Sequence, residues 1–158
     1  MPRIIVLIVL ALCVPSASAQ VEKIKLHERG VWPFAAGGKE FVVRSPGELV
    51  AAINGKKGNE AEEKAVTELV KALKVKEIDW KTKMLVVVRL ERVHPLYLGG
   101  VRSVEVEGKT AIVHYSYYRP VAARPLDKSP TPVAHSFMAL VDRFDGEVQF
   151  KADERSPR

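Results

Sequence analysis

Histidine is the residue type in this chain that most readily suggests chemistry, because three of its four copies fall in the half of the chain that is predicted to form β-strands. His94, His114 and His135 could together hold a zinc ion, since imidazole nitrogens are common zinc ligands. Their spacing argues against this: there is no His-x-x-x-His pair, and no carboxylate stands at a ligand-like offset. We therefore expect His114 and His135 to be ordinary strand residues, with no metal and no cofactor. A metal site at His94, His114 and His135 is the alternative.

Nucleophilic catalysis finds little support in the sequence. A nucleophilic serine often sits on a sharp turn such as Gly-x-Ser-x-Gly, and this motif is absent. Ser45 is better placed to cap a helix. The glycine pairs Gly37-Gly38 and Gly99-Gly100 do not open a lysine-bearing helix, so no phosphate-binding loop is predicted. The sequence favours a non-catalytic protein; the competing class is a small enzyme or ligand carrier with its site around His114 and His135.

Two loops rich in apolar residues and proline suggest a different kind of site. The first runs from His94 to Gly100. The second runs from Arg119 to Val133 and has prolines at 120, 125, 130 and 132, which prevent regular strand pairing. Apolar and aromatic side chains on rigid loops are typical of protein recognition. The candidate partner-binding residues are Tyr97, Leu98, Gly99, Gly100, Arg119 and Arg124. The alternative is that Tyr97 and Leu98 cover one end of the core.

The N-terminus has the three parts of a secretory signal peptide: Arg3, an apolar stretch from Ile4 to Val14, and an Ala-Ser-Ala exit that ends at Ala19. The apolar stretch is shorter than the roughly 20 residues that cross a bilayer, so no transmembrane segment is expected after cleavage. A lipid anchor at Cys13 is the alternative, although Leu12 precedes it where a small residue is preferred. We expect an exported protein, periplasmic or secreted, that is cleaved after Ala19.

Charge and cysteine content narrow the class of protein further. The full chain has a formal net charge of +6, with basic and acidic residues interspersed. Export separates the protein from nucleic acid, and no basic stripe with interleaved aromatic residues is present. We therefore expect an extracytoplasmic protein partner and no nucleic acid. Cys13 is the single cysteine and leaves with the signal peptide, so packing must stabilise the fold without a disulfide.

The elements that must position these residues begin with a strand and two helices. Phe41 to Val43 predicts a short strand. Ser45 to Glu48 then combines the cap, first-turn proline and third-position glutamate of a helix that runs from about Pro46 to Asn54. Asn59 is expected to cap a second helix, in which apolar residues recur on one face.

The second half of the chain predicts strands. Met84 to Val88 is continuously apolar, as expected of a strand that is buried on both faces and central in its sheet. Val101 to Glu107 alternates between apolar and polar residues and turns at Gly108-Lys109 into Thr110 to Tyr118, which predicts a hairpin.

A last strand over Ala134 to Arg143 precedes a tight turn at Asp145-Gly146 and a short closing strand over Glu147 to Phe150. Helices first and hairpin-linked strands afterwards predict an α+β fold: a mostly antiparallel sheet of about five strands with two N-terminal helices packed on one face. The predicted organisation is a signal peptide (1–19), an N-terminal arm (20–38), a single α+β domain (39–150) and a frayed tail (151–158).

Several short motifs between Lys39 and Phe150 resemble the PrcB-type C-terminal domain, a family named for an accessory subunit of a bacterial surface protease complex. They are Phe41 to Leu49, Ile78-Asp79-Trp80 ahead of Met84 to Val88, Gly99-Gly100 ahead of a hairpin, and Asp142 to Gly146. The resemblance implies a non-enzymatic domain that binds or stabilises another extracytoplasmic protein, such as a protease or an envelope protein.

Overall fold

The computed structural model of the protein describes residues 21–55, 58–93, 98–118 and 133–153. The predicted signal peptide with Cys13 and nearly all of the proline loop lie outside these ranges. The elements within them are β1 (Glu22–Ile24), β2 (Leu26–Gly30), β3 (Glu40–Val43), α1 (Pro46–Ala52), α2 (Asn59–Leu73), β4 (Lys83–Val93), β5 (Leu98–Glu107), β6 (Thr110–Tyr118), β7 (Val133–Asp142) and β8 (Glu147–Ala152).

The strands form two four-stranded sheets, so the prediction of an α+β fold with a single sheet of about five strands was wrong. Sheet A has the order β1-β5-β6-β8, and sheet B has the order β2-β7-β4-β3. The fold is mostly β, with the two helices covering one sheet. Alternation of apolar and polar residues identifies a strand but not the sheet that it joins, and this chain repeatedly crosses from one sheet to the other.

The burial of β4 explains how the layers stack. Every side chain from Met84 to Val88 is fully buried. The even-numbered residues of this run pack between the two sheets, with residues such as Val104 and Val113 of sheet A. The odd-numbered ones pack against the helices, with residues such as Leu69 of α2. Both faces of β4 are therefore covered, and its position between β7 and β3 confirms that it is an interior strand.

The two helices begin in different ways. The Oγ atom of Ser45 accepts a hydrogen bond from the backbone N–H of Glu48 at 3.2 Å, which confirms the predicted cap of α1. The Glu48 carboxylate in turn accepts from the backbone N–H of Arg44 at 2.6 Å. The predicted cap of α2 was wrong: Asn59 is the first helical residue, and Gly58 occupies the cap position without a side-chain hydrogen bond. Neither helix among the described residues is long and apolar enough to cross a bilayer.

The hairpin of β5 and β6 is confirmed, with Glu107 opposite Thr110 and Gly108 in the left-handed region at φ +63°. The closing strand β8 forms, but it does not pair back onto β7 across the Asp145-Gly146 turn. It pairs in parallel with β6, because residues 143–146 carry the chain from sheet B to sheet A. An Asp-Gly pair has the residues of a hairpin turn, and only the three-dimensional path shows that the next strand leaves the sheet.

Part of the predicted N-terminal arm belongs to the two sheets. β1 pairs with β5 of sheet A, and β2 pairs with β7 of sheet B. Arg29 of β2 ties the sheets together, because its Nε atom donates to the carbonyl of Val101 at 2.9 Å. The β1 and β2 edges thus close one side of the sandwich, which leaves the β3 and β8 edges on the other.

Candidate functional site

An open groove of about 700 Å³ lies between β3 and β8, the edge strands of the two sheets on this second side. We call it the edge groove. It is lined by Glu40, Phe41, Val42, Arg44, Gly146, Glu147, Val148, Gln149 and Phe150. Among the described residues each strand has a neighbour on one flank only, so each has a row of backbone groups that does not enter the ladder.

The register of β3 shows which backbone groups face the edge groove. The N–H of Arg89 in β4 donates to the carbonyl of Lys39 at 2.7 Å, so that pair is hydrogen-bonded across the ladder. Hydrogen-bonded pairs alternate with open pairs in an antiparallel ladder. Glu40 and Val42 therefore belong to open pairs with β4 and direct their N–H and C=O groups toward the groove.

The same argument applies to β8, which runs parallel to β6. The N–H of Asp153 donates to the carbonyl of Tyr115 at 2.7 Å, so the odd-numbered residues of β8 bond to β6. The backbone groups of Val148 and Phe150 consequently face away from β6 and toward the edge groove. Two edges of exposed donors and acceptors thus line one groove, which is the arrangement that accepts an added strand.

Three apolar side chains line the edge groove, although most of its accessible lining surface is polar. The side chains of Val42, Val148 and Phe150 are half-buried and pack against the core between the sheets. In β8, Val148 and Phe150 alternate with polar residues, as a strand with one inward face requires. In β3, Val42 lies between Phe41 and Val43, which pack on the opposite face of sheet B toward the helices. An extended chain lying in the groove would cover these side chains with its own alternate residues.

Hydrogen bonds fix both ends of the edge groove. At one end the Arg44 guanidinium donates to the carbonyls of Phe144 and Gly146, each at 3.1 Å. At the other, the Tyr115 hydroxyl donates to the Glu40 carboxylate at 2.5 Å. Burial of Tyr115, reinforced by this carboxylate, raises the pKa of its hydroxyl well above the usual value. From Glu40 to Arg44 the groove spans roughly 13 Å, room for about four extended residues.

The described residues include only part of the predicted loop site. Gly99 and Gly100 lie in β5, opposite Tyr117 and Ser116 of β6, and not in a loop. Gly99 is packed so closely that a Cβ atom there would lie 2.7 Å from the Phe137 ring. Leu98 is the first residue of β5. The other candidate residues, Tyr97, Arg119 and Arg124, lie outside the described residues.

The histidines do not form a joint site among the described residues. His114 lies on β6 of sheet A, on the face opposite the core residues Val113 and Tyr115, and its ring nitrogens are 3.8 Å and 3.6 Å from carboxylate oxygens of Glu105 and Asp153. His135 lies on β7 of sheet B, and its buried Nε2 has no hydrogen-bond partner within the part of the chain that the structure describes. In the described ranges no group of three or more His, Cys, Asp and Glu side chains could hold a metal. His94 lies outside those ranges.

The most tightly interacting ionisable groups are ones that the sequence did not single out. Lys83 Nζ lies 2.5 Å from Asp142 Oδ1 and 2.6 Å from His27 Nε2, and His27 Nε2 lies 2.6 Å from the same Asp142 oxygen. The Lys83 hydrogen bond, followed by that from His27, lowers the pKa of Asp142. Lys83 and Asp142 are opposed across β4 and β7, so this cluster links three strands at one end of sheet B.

Sequence reasoning also missed the edge groove, for a topological reason. The alternation of Glu147 to Phe150 correctly indicates that Val148 and Phe150 face inward. The edge position of β3 and β8, however, depends on which strands pair, and no local pattern in the sequence encodes it. Comparison of the chain with protein-family models, with curated proteins and with solved structures finds no match.

Proposed function

We propose that this chain is an exported, non-catalytic protein-binding domain that holds an extended segment of an extracytoplasmic partner in the edge groove, by strand addition to β3 or β8. The partner class that the sequence suggests, an extracytoplasmic protease or an envelope protein, belongs to the same proposal. The observation that carries it is the pair of edges whose backbone groups, at Glu40, Val42, Val148 and Phe150, face away from their ladders and border one groove.

Strand addition divides the recognition between backbone and side chains. Backbone hydrogen bonds to Glu40 or Phe150 supply affinity without regard to sequence, while the pockets for alternate side chains supply specificity. Because Val42, Val148 and Phe150 line the edge groove, the preferred segment has apolar residues at every second position. The fixed ends at Arg44 and Glu40 limit the inserted stretch to about four residues.

The test uses a proline that removes one outward-facing N–H. Val42→Pro deletes a donor that faces the edge groove, and proline is tolerated on edge strands where no ladder bond is lost. The matched control is Val21→Pro, since Val21 is 48 % exposed and precedes β1 on the opposite side of the sandwich. Both variants are first compared by circular dichroism and thermal unfolding, because Val42 also contributes to the core.

The protein and each variant are then used to capture partners from the envelope of the source cell at low and high salt, with retained proteins identified by mass. The proposal expects a discrete partner that Val21→Pro retains. If the segment adds to β3, Val42→Pro loses the partner at least tenfold and the partner slows hydrogen exchange at the amide of Val42. If it adds to β8, the slowed amides are those of Val148 and Phe150. A folded Val42→Pro that retains the partner fully, with protection near Gly99 instead, would overturn strand addition and favour the loop around Tyr97.

A further inference from the structure

A second groove of about 700 Å³ lies along α2 and the segment that follows it. We call it the helix groove. Its floor is formed by Val66 and Val70, one turn apart on α2, together with Ile78 and Trp80. Val66, Val70 and Trp80 are only half-buried, whereas their neighbours Leu69 and Leu73 are completely covered by the core. A strip of apolar surface beside the helix is therefore open to a partner.

The rim of the helix groove is acidic although the chain is basic overall. Glu62, Glu63 and Glu77 line it, with Lys76 as the one cation among the described residues that line the groove. None of the three carboxylates forms an ion pair with another residue of the described ranges, whereas Glu68 on the outer side of α2 is paired with Lys71. The described residues thus leave this local negative charge without an ion-pair partner, although the full chain has a net charge of +6.

Hydrogen bonds fix the backbone that carries the tryptophan of the helix groove, and its side chain packs in part against the core. The Asp79 carboxylate accepts from the N–H of Lys81 at 3.1 Å and from the Thr82 hydroxyl at 2.8 Å, which fixes the turn that carries Trp80. Arg143 donates to the carbonyls of Trp80 at 2.7 Å and Arg44 at 3.3 Å. A preorganised aromatic side chain loses little entropy on binding, which is why such residues anchor interfaces.

We infer that the helix groove binds a cationic segment of a partner protein, one that places an apolar side chain between Val66, Val70 and Trp80 and Lys or Arg side chains beside Glu62, Glu63 and Glu77. The charge complementarity selects this occupant over an acidic or purely apolar one. The inference depends on these residues and not on strand addition at the edge groove. Arg143 does connect the two grooves, so a single partner chain long enough could occupy both.

The test titrates the full chain with a synthetic ten-residue peptide of lysine and leucine that contains no aromatic residue. Trp32 is 3 % exposed and Trp80 is the second of the two tryptophans, so a change in emission reports mainly on the helix groove. The peptide with glutamate in place of lysine controls for apolar binding, and amide shifts in a nitrogen-15 spectrum locate the site. The isosteric variant is Glu62→Gln with Glu63→Gln and Glu77→Gln; its matched control is Glu22→Gln with Glu91→Gln and Glu107→Gln on exposed strand positions.

We expect the lysine peptide to shift the amide resonances of Val66, Val70 and Glu77. The peptide should bind about tenfold more weakly to the helix-groove variant, a modest loss because each exposed ion pair contributes little. The strand control should bind as the natural chain does, and the glutamate peptide should not bind. Equal affinity for both triple variants, shifts confined to other elements, or no binding at low salt would each overturn the inference. Val42→Pro leaves the helix groove intact, so we expect it to bind the lysine peptide as the natural chain does. The titration therefore tests the helix groove independently of strand addition at the edge groove.

Discussion

Gly99 and Gly100 are neighbours in β5 that differ sharply in their surroundings, and alanine at each position tests how the two sheets pack. A Cβ atom on Gly99 would lie 2.7 Å from Phe137 Cε1 and 3.3 Å from the carbonyl oxygen of Ser116, whereas one on Gly100 would meet no atom of the described residues within 4 Å. Phe137 is 7 % exposed, and its ring centroid is 6.0 Å from that of Tyr115. The Phe137 ring therefore cannot move aside without displacing another core residue.

The expected effects have opposite signs. Gly99→Ala should lower the free energy of unfolding by about 1–3 kcal/mol, the usual cost of overpacking a core. Gly100→Ala should raise it by up to about 1 kcal/mol, because alanine loses less backbone entropy on folding than glycine does. Neither glycine has a positive φ, so backbone strain adds to neither value.

Urea unfolding followed by circular dichroism at neutral pH measures both values. A third variant, Phe137→Leu, supplies the control: in the Gly99→Ala background the shorter side chain should relieve the clash, so the two changes should be non-additive by about 0.5 kcal/mol or more. Equal stabilities of the two alanine variants, or strict additivity with Phe137→Leu, would refute the packing argument. Opposite effects of the two alanine variants would show that packing explains the glycine at position 99. Any loss of binding by a Gly99 variant must then be compared with its loss of stability.

Three further predictions concern the ionisable and capping groups. The pKa of Asp142 is lowered in the folded state, so its contribution to stability is complete above the unfolded value near 3.8 and is lost as the pH falls through the folded value. In urea unfolding, Asp142→Asn should remove that part of the acid dependence. The change should be less than about 1 kcal/mol, because the carboxylate is half exposed and paired with Lys83. The pKa of Tyr115 is raised, so its contribution to stability is complete below the unfolded value of 10.0 and is lost as the pH rises above it. Tyr115→Phe should lower the free energy of unfolding at pH 7 by about 1 kcal/mol, since Glu40 loses a hydrogen-bond donor. The same variant should weaken the dependence of stability on pH above 10.0. Ser45→Ala should cost about 1 kcal/mol in thermal unfolding, whereas Ser45→Asp should retain the natural stability, because either oxygen can cap the first turn of α1.

Local sequence rules could predict the elements whose residues have similar surroundings along the length of the element. Met84 to Val88 is apolar at every position because helices cover one face of β4 and sheet A covers the other, and a continuous run reports that directly. Ser45 is a cap because its neighbours place a backbone N–H within reach of its side chain. Asn59 has the right residue type one position late, and Gly58 takes the cap position instead. Such one-residue offsets lie within the ordinary uncertainty of a helix boundary.

The second sheet and the candidate site could not be predicted, since both depend on pairings between residues far apart in the chain. The short run from Glu22 to Gly30 carries too few apolar residues to indicate strands, yet it pairs with β5 and β7. Lys83, Asp142 and His27 meet only because β2, β7 and β4 are adjacent. A single sequence contains no register between such segments, so their residues look like isolated surface charges.

The edge strands β3 and β8 carry features that protect a β-sheet against self-association. An exposed edge is an aggregation hazard that proteins reduce with short strands and charged side chains. β3 has four residues and begins with Glu40, and in β8 the exposed Glu147 and Lys151 flank the half-buried Phe150. Arg44 also occupies the carbonyl of Gly146 just before β8, so a strand that pairs along β8 cannot use that acceptor. A short extended segment with alternating apolar residues would not need it, since such a segment can bond to the backbone groups of Val148 and Phe150 and cover their side chains.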